Sequence, residues 1–176
     1  MLRTVILAGR IILGLFAITV LGVALLPGSA FSQQQSLKDQ LVGTWSYGSS
    51  IRIRPDGTKT DEPNLKGIVI YTRDGHFAFM NVSADLPKLA ANNPARATVE
   101  EAQAVVAGSI AYYGTYSVNE VDKVITAKVE GSTFANLVGA AEQKRIITSL
   151  TADELKFVNP RTPSGDTLEF IWKRAK

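Results

Sequence analysis

What most limits this chain is the rhythm of its turns. From residue 37 onward, short apolar runs are cut by turn-forming residues about every ten positions. That spacing belongs to an antiparallel all-β domain and leaves no room for a bundle of long helices. The run "IRIR" (51–54) alternates with period two and meets "PDGT". "GIVIYT" (67–72) meets "RDG" and continues as "HFAFMNV" (76–82). The Asp-Gly pairs at 56–57 and 74–75 favour tight hairpins, because glycine adopts positive φ cheaply. Further strands are expected at 112–118, 123–129, 142–150, 154–158 and 167–173. In the last of these, Leu168, Phe170 and Trp172 share one face.

One segment breaks the rhythm. In "ATVEEAQAVVAGSIAYY", Thr98 stands as N-cap with Glu101 three residues later, a capping box. Ala102, Val105, Val106, Ser109 and Ile110 then follow at helical spacing. About eight to ten strands with one amphipathic helix read as a closed or nearly closed barrel, since closure removes exposed strand edges. The helix is expected against the barrel wall or over its mouth.

The N-terminus has a different composition. Arg3 and Arg10 precede an uncharged run from Ile11 to Leu26, followed by Pro27, Gly28 and the small residues of "SAFS". A basic start, an apolar centre and a small-residue exit describe a secretory signal peptide. The alternative is an uncleaved anchor spanning residues 5–26. The expected organisation is a presequence over 1–32, a polar linker over 33–40 and a barrel domain over 41–176. Export would place that domain in the periplasm or outside the cell.

Loss of the presequence removes two of the 19 basic residues and none of the 16 acidic ones, leaving a net charge of +1. A nearly neutral domain with interspersed signs has no electrostatic footprint for nucleic acid. There is no cysteine, so neither a disulfide nor a lipidated cysteine is available. Membrane contact is expected only through the N-terminal segment, and the domain is expected to be monomeric.

Several motifs taken together carry a family resemblance. "LVGTWSYGS", "GIVIYTRDGHFAF", the helix entering "AYYGTYSV", then "VEGSTFANLVGAAEQKRI" and "LEFIWKR" resemble the bacterial and fungal lipocalin-like domain family, in order, across residues 41–174. The resemblance implies an all-β fold with one helix: a calycin-type antiparallel barrel with an internal cavity. Gly43, Thr44 and Trp45 resemble the G-x-W signature of the first lipocalin strand, and Arg174 resembles the late arginine that covers that tryptophan. These residues are expected to close the barrel. The chain departs from the family at Ala127 and Lys128, where histidine is common, and at Ala135 and Leu137, where proline and tryptophan are common.

Chemical constellations are sparse. The single histidine, His76, follows a hairpin turn, so neither a transition-metal site nor a catalytic triad has the residues it needs. No phosphate loop or nucleophile elbow is present, and no cofactor is expected. "NVS" at 81–83 matches a glycosylation acceptor but falls within an expected strand. Glu100 and Glu101 suit a helix N-terminus, while Asp61, Glu62, Asp153 and Glu154 read as solvated turn residues.

The remaining candidates are aromatic. Tyr71, Phe77, Phe79, Tyr113 and Tyr116 are the expected ligand-binding set, with Tyr112 beside them; core packing is their structural alternative. Arg145 shares strand parity with Ile147 and is the one cation expected inside, facing a ligand carboxylate or an internal acid such as Glu130. The expected function is binding of a small apolar or amphipathic molecule. The alternatives are an isomerase or cyclase using the same cavity, and an envelope scaffold with a filled barrel.

Overall fold

The computed structural model describes residues 35–62 and 64–176; the signal-peptide expectation lies outside the described residues. A short helix α1 (Leu37–Leu41) leads into β1 (Gly43–Ile53), β2 (Lys59–Asp61), β3 (Leu65–Tyr71) and β4 (His76–Ser83). Helix α2 (Val99–Gly108) runs directly into β5 (Ser109–Asn119). It is followed by β6 (Val124–Ser132), β7 (Gln143–Leu150), β8 (Glu154–Asn159) and β9 (Thr167–Arg174).

All pairings are antiparallel. Neighbours follow the chain from β3 to β9, and β9 then pairs with β1 from Thr167–Ile53 to Arg174–Trp45. That last ladder closes a barrel of eight strands. β2 lies outside the cycle as a short ninth strand on the far half of β1. The sequence pattern puts Asp61 in an exposed loop, since the three polar residues of β2 carry no hydrophobic period.

The barrel has two unlike ends. At one, the β3–β4 hairpin, the β5–β6 turn and the β7–β8 turn converge with α1. There Glu120 accepts hydrogen bonds from the backbone N–H groups of Leu37 and Lys38 at 2.8 and 3.1 Å. α1 draws in residues of the expected linker, and Leu41 at its end is fully buried. At the other end lie the β1–β2 hairpin, the long β4–β5 connection carrying α2, and the β6–β7 and β8–β9 loops. This second end is the mouth.

The expected capping box is present: Glu101 N–H donates to Thr98 Oγ1, and the Glu101 carboxylate accepts in return from the Thr98 N–H. The helix is shorter than its spacing suggests, because Ser109 and Ile110 belong to β5. None of its residues is buried, and Val106 is 79% exposed. The amphipathic stripe expected from sequence is therefore divided between the helix at the mouth and the first residues of the next strand.

Candidate functional site

The closed end is a plug. Trp45 is wholly buried, and its indole N–H donates to Leu41 O at 2.9 Å. The Arg174 guanidinium lies 3.9 Å from the centre of the Trp45 ring, a cation–π contact in a largely desolvated setting. The same group donates to Val42 O at 3.0 Å and Gln40 O at 2.7 Å. Gly43 makes this approach feasible. Its φ of +132° disfavours any other residue, and a Cβ there would stand 2.7 Å from Arg174 Nη1. These contacts give the three residues a structural role.

Three of the expected ligand residues complete the plug. Tyr71, Phe77 and Tyr116 are about 95% buried and pack on one another, with Tyr71 and Tyr116 ring centres 5.0 Å apart. Tyr116 OH donates to Thr72 O at 2.8 Å, and Lys38 Nζ sits 5.8 Å from the Tyr116 ring centre. Burial pushes the Tyr116 hydroxyl up to about 12 and the Tyr71 hydroxyl higher still. Both are therefore neutral core groups at ordinary pH, and they belong to the plug more than to the cavity wall.

Above the plug opens a cavity of about 530 Å³, continuous with the mouth. Such a volume is ample for a small ligand, about 300 Å³ being the lower end of the usual range. Phe79, Tyr112 and Phe170 form its aromatic floor, with Phe79 and Tyr112 stacked at 4.6 Å between centres. Leu168, Ile110 and Leu137 add apolar wall, and Val105, Val106 and Phe134 line the mouth. Leu137 comes from the short 3₁₀ turn at Ala135–Leu137. Ser132 Oγ starts that corner by accepting from Phe134 N–H at 3.0 Å.

Tyr113 is a correction. It is 58% exposed on the outer surface, and Tyr112 is the tyrosine inside. Alternation along β5 sets Tyr112, Gly114 and Tyr116 inward and leaves Tyr113 outward. Its ring lies over its cross-strand partner Gly131, where a Cβ would come within 2.5 Å of it. A register shift between Tyr113 and Gly114 skips Glu130, which also faces solvent. An internal Glu130–Arg145 pair is thereby ruled out.

Arg145 is 93% buried on the inner face of β7. Nη2 donates to Tyr112 OH at 3.2 Å, and Nη1 to the backbone O of Lys144 at 2.8 Å. Among the described residues, no carboxylate lies within ion-pairing distance of it. A buried guanidinium is costly unless its charge is balanced, so this arrangement is suited to receive an anion.

The mouth carries its own charges. Arg52 pairs with Glu62 and, at 2.6 Å, with Asp166. It thereby ties β1 to the segment after β2 and to the β8–β9 loop. Glu62 is thus an ion-pair partner and not the solvated residue expected from sequence. The Asp166 carboxyl is held below the usual carboxylate range, chiefly by its hydrogen bond to Arg52 and then by that from Ser164. His76 sits in its turn at the closed end, 3.2 Å from Asp74 and largely exposed. Among the described residues, no group of three or more His, Cys, Asp or Glu could hold a metal ion.

Two cavity residues are absent from the set expected from sequence. Asn81 (7% exposed) and Asn159 (8%) line the wall from β4 and β8. Asn81 follows Phe77 and Phe79 at the same parity, which is the signal that points to it.

A search of the curated proteins finds no match. Among solved structures, a de novo designed fluorescence-activating β-barrel aligns over 80% of this chain and 99% of its own, at 10% identity and TM-score 0.42. A redesigned β-barrel bound to DFHBI gives 14% identity and TM-score 0.40, covering 80% of this chain and all of its own. Bovine odorant binding protein, in complex with a selenium-containing odorant, gives 12% and 0.40 over 81% of this chain and 74% of its own. The family model for the lipocalin-like domain matches residues 42–175, essentially the whole barrel. The chain belongs to the lipocalin-like domain family.

Proposed function

We propose that this barrel binds a small amphipathic molecule, holding its acidic group on Arg145 and Tyr112 and its apolar body against Phe79, Phe170 and Leu168. One observation carries the reading: a buried arginine, without a carboxylate partner among the described residues, faces an aromatic cavity of about 530 Å³. Desolvating a guanidinium costs several kcal/mol. The two hydrogen bonds it makes are to neutral oxygens, and a ligand carboxylate would supply the missing charge. The apolar wall then rewards a hydrocarbon tail through its burial.

Binding is favoured over the isomerase or cyclase reading because, among the described residues, no candidate base is free in the cavity: Glu62, the one carboxylate in its lining, is ion-paired with Arg52. Glu130 faces solvent, and His76 is at the closed end. General acid–base chemistry needs a positioned base within reach of the substrate. The cavity volume likewise disfavours a filled scaffold. The site of action we propose is the periplasm or the exterior, reached through residues 1–32 with their basic start, apolar run and small-residue exit.

The test is calorimetric titration with dodecanoate and with its methyl ester, which keeps the tail and removes the charge. The acid should bind the wild-type protein more tightly. Arg145→Met should weaken the acid by about tenfold or more and leave the ester within about twofold, since a hydrogen bond to a charged group contributes about 1.5–3 kcal/mol. Equal affinity of acid and ester for the wild-type protein, or undiminished acid binding by Arg145→Met, would contradict the reading.

A further inference from the structure

The inner face of β4 runs Phe77, Phe79, Asn81, so an amide stands where the pattern calls for a third apolar side chain. Asn81 is 93% buried and lines the cavity. Its Oδ1 is fully enclosed and receives no hydrogen bond from the protein. The oxygen occupies a notch made by its cross-strand partner Gly67, where a Cβ would stand only 1.9 Å from it. Any other residue at 67 would fill that notch and displace the amide. A glycine inside a strand weakens it and commonly marks a place where another group must come close. Four strands away around the eight-stranded barrel, Asn159 offers a second amide to the same cavity. Its Oδ1 accepts only a long bond from Arg161 N–H, 3.4 Å.

Burying an amide without a partner is unfavourable, and replacing it with an apolar group of similar volume is often neutral or stabilising. A barrel that only carried hydrocarbon would have no use for Asn81, whereas a ligand with its own polar group along the tail would. From this we infer that Asn81, seated in the Gly67 notch, selects ligands oxygenated along the body of the molecule: hydroxylated amphiphiles in preference to plain ones. With Oδ1 enclosed in the notch, the amide meets the cavity through Nδ2, which donates to a ligand hydroxyl oxygen. The inference rests on the cavity binding proposed above, and adds to the acidic group on Arg145 a second polar point near Asn81. The same geometry leaves the "NVS" motif at 81–83 as wall, since the Asn81 side chain is enclosed within the barrel.

The test compares dodecanoate with a panel of monohydroxydodecanoates, the hydroxyl placed at successive mid-chain carbons. The methyl esters of all of them are measured in parallel, on the full chain. At least one hydroxyl isomer should bind the wild-type protein about tenfold more tightly than dodecanoate, the gain of one buried hydrogen bond. Asn81→Leu should abolish that preference, keep dodecanoate within about twofold, and melt no lower than the wild-type protein. Asn81→Ala removes the amide without adding bulk, so it gives the same reading should leucine prove too large. Absence of any hydroxyl preference in the wild-type protein overturns the inference, as does a preference that survives both substitutions. The ester arm separates the two claims. If esters bind as well as acids, the carboxylate reading fails, yet a hydroxyl preference among esters that depends on Asn81 still supports this one. If no probe binds, both fail.

Discussion

At Arg174 a single side chain joins the first strand to the last. Its guanidinium covers the Trp45 ring and reaches carbonyls of Gln40 and Val42, and its Nε donates to Ala152 O. Removing it forfeits a stacked cation and leaves three carbonyls without this donor. Arg174→Ala is therefore expected to destabilise the protein by about 2–4 kcal/mol in denaturant unfolding. Arg174→Lys should recover only a minor part, because a point charge lacks the planar fork. Gly43, Trp45 and Arg174 are legible in the sequence as closing residues because their roles are fixed by shape and stacking. The aromatic set is legible only by type. Tyr112 and Tyr113 are adjacent, and choosing between them needs the parity that Tyr116 sets three positions beyond Tyr113. Asn81 is legible as an inward residue by its parity with Phe77 and Phe79, but the notch that seats it is not, because that needs the cross-strand pairing with Gly67.

Among the elements, the mouth loops are fastened by ion pairs and so respond to solution conditions. Arg52 fastens the β8–β9 loop through Asp166, whose folded-state pKa lies below its unfolded value of about 3.9. The sign follows from that depression. The fastening is fully present above the unfolded value and is lost as pH falls through the lower, folded value. The protection of the Thr162, Gly165 and Asp166 amides, which are bonded within that loop, measured against their intrinsic exchange rates at each pH, should fall on acidification in the wild-type protein. In Asp166→Asn it should be low already near neutrality. An Asp166→Asn loop that is equally protected at neutral pH would show that Arg52 does not hold it. The start of α2 is legible because capping is a local code, whereas its end is not. Helical and strand periods overlap at Ser109 and Ile110, and the pairing of Ile110 with Asn81 across the sheet decides in favour of strand. The extra strand β2 is illegible because main-chain bonding to β1 defines it.

At the largest scale, the barrel divides into a solid end and a hollow one. The turn rhythm by itself makes the barrel legible, since closing an antiparallel meander is the direct way to use such strands. What the rhythm does not supply is depth, because inward aromatic residues fill a barrel or line it according to their level along the axis. Tyr71 and Tyr116 lie on the filled side, with hydroxyls raised by burial. Their raised pKa values make the neutral forms a source of stability that is complete below about pH 10 and declines as pH rises toward 12 and beyond. Alkaline unfolding should accordingly coincide with ionisation of these two tyrosines, followed by tyrosinate absorbance. Tyr116→Phe should shift the midpoint to higher pH, at the expense of the hydrogen bond to Thr72. The central claim concerns the hollow side, and a crystal structure of the protein with bound dodecanoate tests it most directly. The account predicts a carboxylate within hydrogen-bonding distance of Arg145 and Tyr112, with the tail against Phe79 and Phe170. A ligand seated on the outer surface, or one lying in the cavity with its carboxylate turned away from Arg145 toward the mouth, would contradict it.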